Sequence, residues 1–217
     1  MTTAVLLALI CIAATGALLW AEFRHSQSAR SVFKLVASTA FVAIALQLGA
    51  PSTGYGRGIL IALALSWIGD MLLLSGRSRV FLCGLLAFLL AHLAFAIAFL
   101  RCPLDARVMG IVLVSMGVAG MGVLRWLWPR LRRFYRPAVS VYVAAIVAMS
   151  AVAFSVSVAT GTWQIAAGAL LFAISDIAVA RNRFVSRGPA NKAWGLPLYY
   201  AAQILLAMSV ASAPAMH

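Results

Sequence analysis

The feature that most constrains this chain is a series of unbroken apolar runs. Each is about 18–20 residues long, the length a helix needs to cross about 30 Å of hydrocarbon. A soluble domain has no use for such runs in succession. Composition agrees: 10% of the 217 residues are charged and 65% hydrophobic, where soluble domains carry roughly 25% charged residues. The mean hydropathy is +1.04. The expected class is an integral membrane protein, all-α and polytopic. An outer-membrane barrel is excluded, because its strands alternate polar and apolar residues with period two. Disorder and a soluble nucleic-acid binder are excluded on the same hydropathy, despite a pI near 11.3.

Hydropathy marks eight transmembrane helices, at 3–21, 32–50, 58–76, 80–100, 107–128, 138–157, 161–180 and 194–212. The connections are short, so residues 1–217 read as one domain, a single bundle in the membrane. The first span has neither a basic leader nor a small-residue cleavage site, and reads as retained. Basic residues are distributed unevenly over the loops. Arg24, Arg30, Lys34, Arg77, Arg79, Arg125, Arg130, Arg132, Arg133, Arg136, Arg181, Arg183, Arg187 and Lys192 fall on one side; Arg57, Arg101 and Arg107 fall on the other. Positive loops stay in the cytoplasm. That places the N and C termini outside (periplasmic), in a bacterial inner (cytoplasmic) membrane. The formal charge of +13 is then a topology signal, and its partners are membrane lipids, not nucleic acid. Cys11, Cys83 and Cys102 have no metal spacing, and receive no chemistry.

There are four acids. Glu22 falls in a cytoplasmic loop and Asp105 in an outer one. Asp70 and Asp176 lie inside spans 3 and 7, where an ionisable group costs about 2.5–3.5 kcal/mol and points to function by default. Measured from Arg77 and Arg181, both lie about 7–10 Å inside the cytoplasmic boundary at 1.5 Å per residue. Each follows a small residue, Gly69 or Ser175, and four spans separate them, the spacing of a 4+4 parallel repeat. Lys34, Tyr142, Tyr199, Tyr200, Gln203, Ser66 and His92 lie at compatible depths. Together they outline a buried polar cavity opening towards the cytoplasm. Plainer roles stand beside this one. The aspartates fit a structural ion pair with Lys34 or an arginine, and Lys34 fits snorkelling to the interface. The tyrosines fit an aromatic belt; Ser66 and Gln203 fit packing glue. His92 fits an interhelical hydrogen bond, a proton relay or a metal ligand.

These residues also carry a resemblance. Span 3 has Ala64-Leu-Ser-Trp-Ile-Gly-Asp70, span 4 has Phe81-Leu-Cys-Gly-Leu-Leu-Ala-Phe-Leu-Leu-Ala-His92, span 7 has Phe172-Ala-Ile-Ser-Asp176, and span 8 has Tyr199-Tyr-Ala-Ala-Gln203. In this order they resemble the YhhN-like membrane proteins, the lysoplasmalogenase family, over about residues 33–205. Lys34 matches the lysine of span 2, although Leu35 replaces the usual proline, and Phe95 stands where tyrosine is common. The resemblance implies hydrolysis of the vinyl (alkenyl) ether of lysoplasmalogens to a fatty aldehyde and a glycerophospho-alcohol, with a lysophospholipid as the bound substrate.

The chemistry fits two carboxyls. Protonating the β-carbon of a vinyl ether gives an oxocarbenium ion, to which water adds before collapse to aldehyde and alcohol. One carboxylic acid supplies the proton, and another group offsets the charge and takes a proton from water, as in glycosidases. Asp70, Asp176 and His92 are the catalytic candidates; which Asp is the acid is left open. Lys34, Ser66, Tyr142, Ser175, Tyr199, Tyr200 and Gln203 are the substrate-binding candidates, with Lys34 and cytoplasmic arginines expected on the phosphate. No cofactor is implied; a metal centre through Asp70, Asp176 and His92 would rest on one interior histidine. The alternative is a proton-coupled membrane transporter using the same Asp pair. Against it, the spans lack paired Gly/Pro breaks.

Overall fold

The structure is a computed structural model and describes residues 2–75 and 77–212. Eight long helices account for nearly all of it: α1 (Thr2–Phe23), α2 (Gln27–Gln47), α3 (Gly54–Leu72), α4 (Ser78–Phe99), α5 (Ala106–Leu127), α6 (Tyr135–Thr160), α7 (Trp163–Ala180) and α8 (Pro189–Ser212). All eight are long and apolar enough to cross a membrane, as the hydropathy required. The largest boundary shifts, five residues each, are at the starts of spans 2 and 8, and both ends of the second connection also moved. Span 2 was expected over 32–50, but α2 runs from Gln27 to Gln47. Ser26 accepts from the Ala29 N–H and starts it early. It stops where Gly49 adopts a left-handed φ of 80° and Pro51 enters a 3₁₀ turn. Thr53 then caps α3 by accepting from the Gly56 N–H. The expected end of span 3, residue 76, lies outside the described residues.

Consecutive helices pair as hairpins: α1 with α2, α3 with α4, α5 with α6, α7 with α8. The pairings α2–α3 and α6–α7, and α8–α2 and α4–α6, also correspond. The correspondence replaces each helix by the one four later. It fails at α5. Helix α1 packs against both α2 and α8, whereas α5 packs against α6 and buries only Leu127. Gly120 sets that contact, since a Cβ there would fall 2.8 Å from Cγ1 of Val143 on α6.

The loops that carry most arginines meet at one end of the bundle. Gln27 donates to the Leu74 carbonyl, Arg183 to Ser78, and Lys192 to Glu22. The opposite end is tied by Tyr55 to Ser209 and by Ser155 to the Asp105 carbonyl. Asp105 also caps α5, accepting from the Arg107 and Val108 N–H groups. Between these ends, one aromatic cluster of Phe41, Phe88, Phe95, Phe172, Tyr199 and Tyr200 packs the centre. Offset and edge-on ring contacts of this kind are favoured.

Candidate active site

Asp70 lies in the last turn of α3, where Gly69 opens the space beside it. A Cβ at Gly69 would fall 2.6 Å from the Phe88 ring of α4, so only glycine lets α4 approach the acid this closely. The Asp70 carboxylate is 2% exposed and has three partners on two other helices. Lys34 Nζ of α2 lies 3.1 Å from Oδ1. Ser38 and Tyr199 donate to Oδ2 at 2.7 and 2.8 Å. A buried carboxylate with a cation and two hydroxyl donors is satisfied in its ionised form.

Asp176 on α7 occupies the matching place with a different partner set. Tyr142 of α6 donates to Oδ1 at 3.1 Å, and Nε2 of His92 on α4 lies 3.2 Å from Oδ2. That last contact is close but out of line for a hydrogen bond, leaving both atoms buried without a formal hydrogen-bond partner. The other ring nitrogen of His92, Nδ1, sits 2.7 Å from the Phe88 carbonyl. A carbonyl only accepts, so Nδ1 carries its hydrogen in either charge state of the ring. Nε2, facing Asp176, is the atom whose proton varies.

The helix-by-four correspondence reaches these side chains. Asp70 of α3 takes Lys34 from α2 and Tyr199 from α8; Asp176 of α7 takes Tyr142 from α6 and His92 from α4. The partners differ in chemistry at each position. Both acids face one cavity of about 360 Å³ that also touches Lys34, Tyr142, Ser175 and Tyr199.

The remaining candidates are placed less directly. Ser175 touches the cavity, but its hydroxyl donates to the Phe172 carbonyl of its own helix at 2.7 Å. Tyr200 turns away to Ser38 at 3.2 Å. Ser66 and Gln203 are buried off the cavity wall, and neither side chain has a hydrogen-bond partner. Lys34 is committed to Asp70, which removes it from the phosphate position expected of it. Among the described residues, no three His, Cys, Asp or Glu side chains converge on a common point.

Sequence reasoning missed two features. Ser38, a third partner of Asp70, lies one turn beyond Lys34 on α2, and that i+4 spacing could have found it. Glu22 is not in a loop. It ends α1, and pairs with Arg30 Nε at 2.9 Å and Lys192 Nζ at 2.5 Å at the mouth of the cavity. The rest of the mouth is built by the α7–α8 connection. After α7 the chain makes a π-helical turn over Arg181–Val185, a deformation common at functional sites. Arg183 lies over the Phe81 ring at 4.2 Å. Asn191 bonds Arg181, Asn182 and the Ser186 carbonyl, fixing the loop.

A bundle of eight membrane-length helices, with a buried and a largely buried aspartate differently partnered on one cavity, defines a polytopic membrane protein. The chain belongs to the YhhN family, whose profile matches residues 29–210. It is 37% identical over 180 residues to a lysoplasmalogenase of Mycobacterium bovis, covering 78% of this chain and 66% of that one. It is 33% identical over 157 residues to lysoplasmalogenase TMEM86A of Bos taurus, covering 70% and 64%. It is 31% identical over 164 residues to human lysoplasmalogenase TMEM86B, covering 76% and 68%. The match thus spans about two thirds of the length of these relatives. No solved structure matches the chain significantly.

Proposed function

We propose that this protein is a lysoplasmalogenase-like hydrolase that cleaves the vinyl ether bond of a lysophospholipid inside the membrane. The observation that carries this reading is the pair of unlike carboxyls on one cavity, Asp70 held by a lysine and two hydroxyls, and Asp176 held by a tyrosine and a histidine. The names of the relatives agree with it.

The difference in partners supports a division of roles. Asp176 with His92 is the proton donor, because Nε2 and Oδ2 lie 3.2 Å apart and neither has another hydrogen-bond partner among the described residues. It passes to the β-carbon of the alkenyl ether, and the C–O bond takes up the positive charge as an oxocarbenium ion. Asp70, kept ionised by Lys34, Ser38 and Tyr199, offsets that charge. A water molecule then adds to the cationic carbon and gives its proton to a carboxylate. The hemiacetal collapses, its hydroxyl proton returning to the glycerol oxygen. The sum is one vinyl ether and one water to one aldehyde and one alcohol. Positioned acid–base groups contribute about 10²–10⁴-fold each.

The substrate phosphate falls to the mouth. Arg30, Lys192, Arg183 and Arg187 all reach the cavity, and Arg30 and Lys192 are held there by Glu22. With the arginine-rich end in the cytoplasm, the headgroup would enter from that side of an inner membrane.

The deciding experiment supplies lysoplasmenylethanolamine to the purified protein in detergent and measures aldehyde release. Wild type is expected to turn over, and Asp70→Asn and Asp176→Asn to lose activity. Inert wild type, with proton-linked flux in liposomes, would replace this reading with the transporter.

A further inference from the structure

A second cavity, of about 240 Å³, lies between α4, α5, α6 and α7. Apart from Tyr142 and Asp176, every side chain on its wall is apolar. It shares Phe81, Leu85, Tyr142, Asp176 and Val179 with the polar cavity, so the two meet at the Asp176 carboxyl. The space exists because α5 stands off. Its counterpart four helices earlier, α1, fills the equivalent place by packing on α8 as well as α2, while α5 packs on α6.

We infer that this groove seats the single hydrocarbon chain of the lysophospholipid, and that its junction with the polar cavity sets which bond meets Asp176. This rests on the hydrolase reading. A lysoplasmalogen has one chain and one phosphate, and its vinyl ether lies where the apolar part joins the polar part. The protein has an apolar groove and a polar cavity with a cationic mouth, and the two share Asp176. Laying the chain along the groove and the phosphate at Arg30 and Lys192 brings the enol ether to Asp176 without further adjustment. A lipid with two chains would have to place its second chain away from Asp176. A second apolar cleft, of about 300 Å³ between α4 and α6 and lined by Leu82, Leu86, Leu89 and Val141, reaches Tyr142 but not Asp176, so it cannot set that register.

Two measurements test this. Ala119 is an exposed residue of α5 on the groove wall, and Ala119→Trp fills the groove from its outer side. Val114→Trp, on the lipid face of the same helix and off the groove, is the control. Ala119→Trp should lower kcat/KM for an octadecenyl substrate about tenfold or more and leave a hexenyl analogue within about threefold, as expected when several methylenes lose a pocket. Val114→Trp should change neither. Equal effects on both chain lengths, or none, would overturn the inference. Independently of turnover, a lysophospholipid with a diazirine in its chain should label Met116, Ala119 or Ile174 on irradiation. Labelling at Leu86 or Val141 would put the chain in the α4–α6 cleft instead. Equal labelling by a diacyl phospholipid carrying the same group would make the groove a seat for ordinary bilayer lipid. Because labelling needs no hydrolysis, an inert wild type that still labels α5 would sink the hydrolase reading and leave the groove standing.

Discussion

Nζ of Lys34 lies 3.1 Å from Oδ1 of Asp70 in the middle of the bundle, with the two residues 9% and 2% exposed. Removing one member of such a pair leaves an uncompensated buried charge, at a cost of about 3–5 kcal/mol. Lys34→Met should therefore lower the unfolding temperature in detergent markedly. Lys34→Met with Asp70→Asn should recover most of that loss and still be inactive. If the single and double variants unfold alike, the pair does not carry the stability assigned to it.

The two carboxyls should not respond equally to losing neighbours. Asp70 has three partners, so Tyr199→Phe removes one hydrogen bond to a charged group, worth about 1.5–3 kcal/mol. Aldehyde release should fall about ten- to hundredfold. Tyr142→Phe removes the only aligned donor to Asp176 among the described residues, and should act on the proton-transfer step. A solvent deuterium isotope effect on kcat distinguishes them: it should change for Tyr142→Phe and stay constant for Tyr199→Phe.

His92 offers Nε2 to Asp176 while Nδ1 is held by the Phe88 carbonyl. His92→Ala should lower kcat by about 10²–10⁴-fold, the range of general acid–base groups, with little change in KM. The pH profile of kcat should also move, which loss of a merely structural ring would not produce. An unchanged profile would remove His92 from the proton path.

At the mouth, Glu22 competes with an incoming phosphate for Arg30 and Lys192. These three side chains are partly exposed, so the effect is modest, about the 0.2–1 kcal/mol of a solvated pair. Glu22→Gln should lower KM up to about fivefold for the phospholipid substrate, and Arg30→Gln should raise it. Neither should affect an alkenylglycerol without phosphate. Equal shifts for both substrates would place the phosphate elsewhere.

The basic loops predict an orientation with the arginine-rich end in the cytoplasm. Arg133→Cys should react with a membrane-impermeant maleimide only in opened bacterial cells, and Arg107→Cys in intact ones with the outer membrane permeabilised. Native Cys102, in the α4–α5 connection, should not interfere. Burial pushes its thiol up to about 11, so at pH 7.5 it stays in the unreactive neutral form, and only well above neutrality does thiolate accumulate.

Much of this protein was legible in the sequence because the bilayer imposes a local rule. Every backbone polar group must be satisfied within its own helix, so apolar run length alone delivered eight helices. The cost of an intramembrane charge singled out Asp70 and Asp176 without any knowledge of packing. Counting residues from the flanking arginines gave them similar depths, and one cavity does reach both. Pairing with an aspartate was one of the roles open to Lys34, beside snorkelling and phosphate binding, and the structure shows that pairing.

What the sequence withheld is rotation and neighbourhood. Lipid is as apolar as the bundle core, so a helix face that meets another helix looks like one that meets hydrocarbon. Hydropathy could not tell that Gln203 and Ser66 lie off the cavity, that Tyr200 turns to Ser38, or that α5 stands apart. Only tertiary packing gave Asp70 a lysine and Asp176 a histidine. Those partners come from helices up to 129 residues away in the chain, and no local pattern records which face each presents. For the same reason Glu22, at the end of an ordinary apolar helix, carried no signal until α1, α2 and α8 were brought together around it. Chain-local physics determined the helices and the depth of their acids; side-chain contact between distant helices decided what each acid can do.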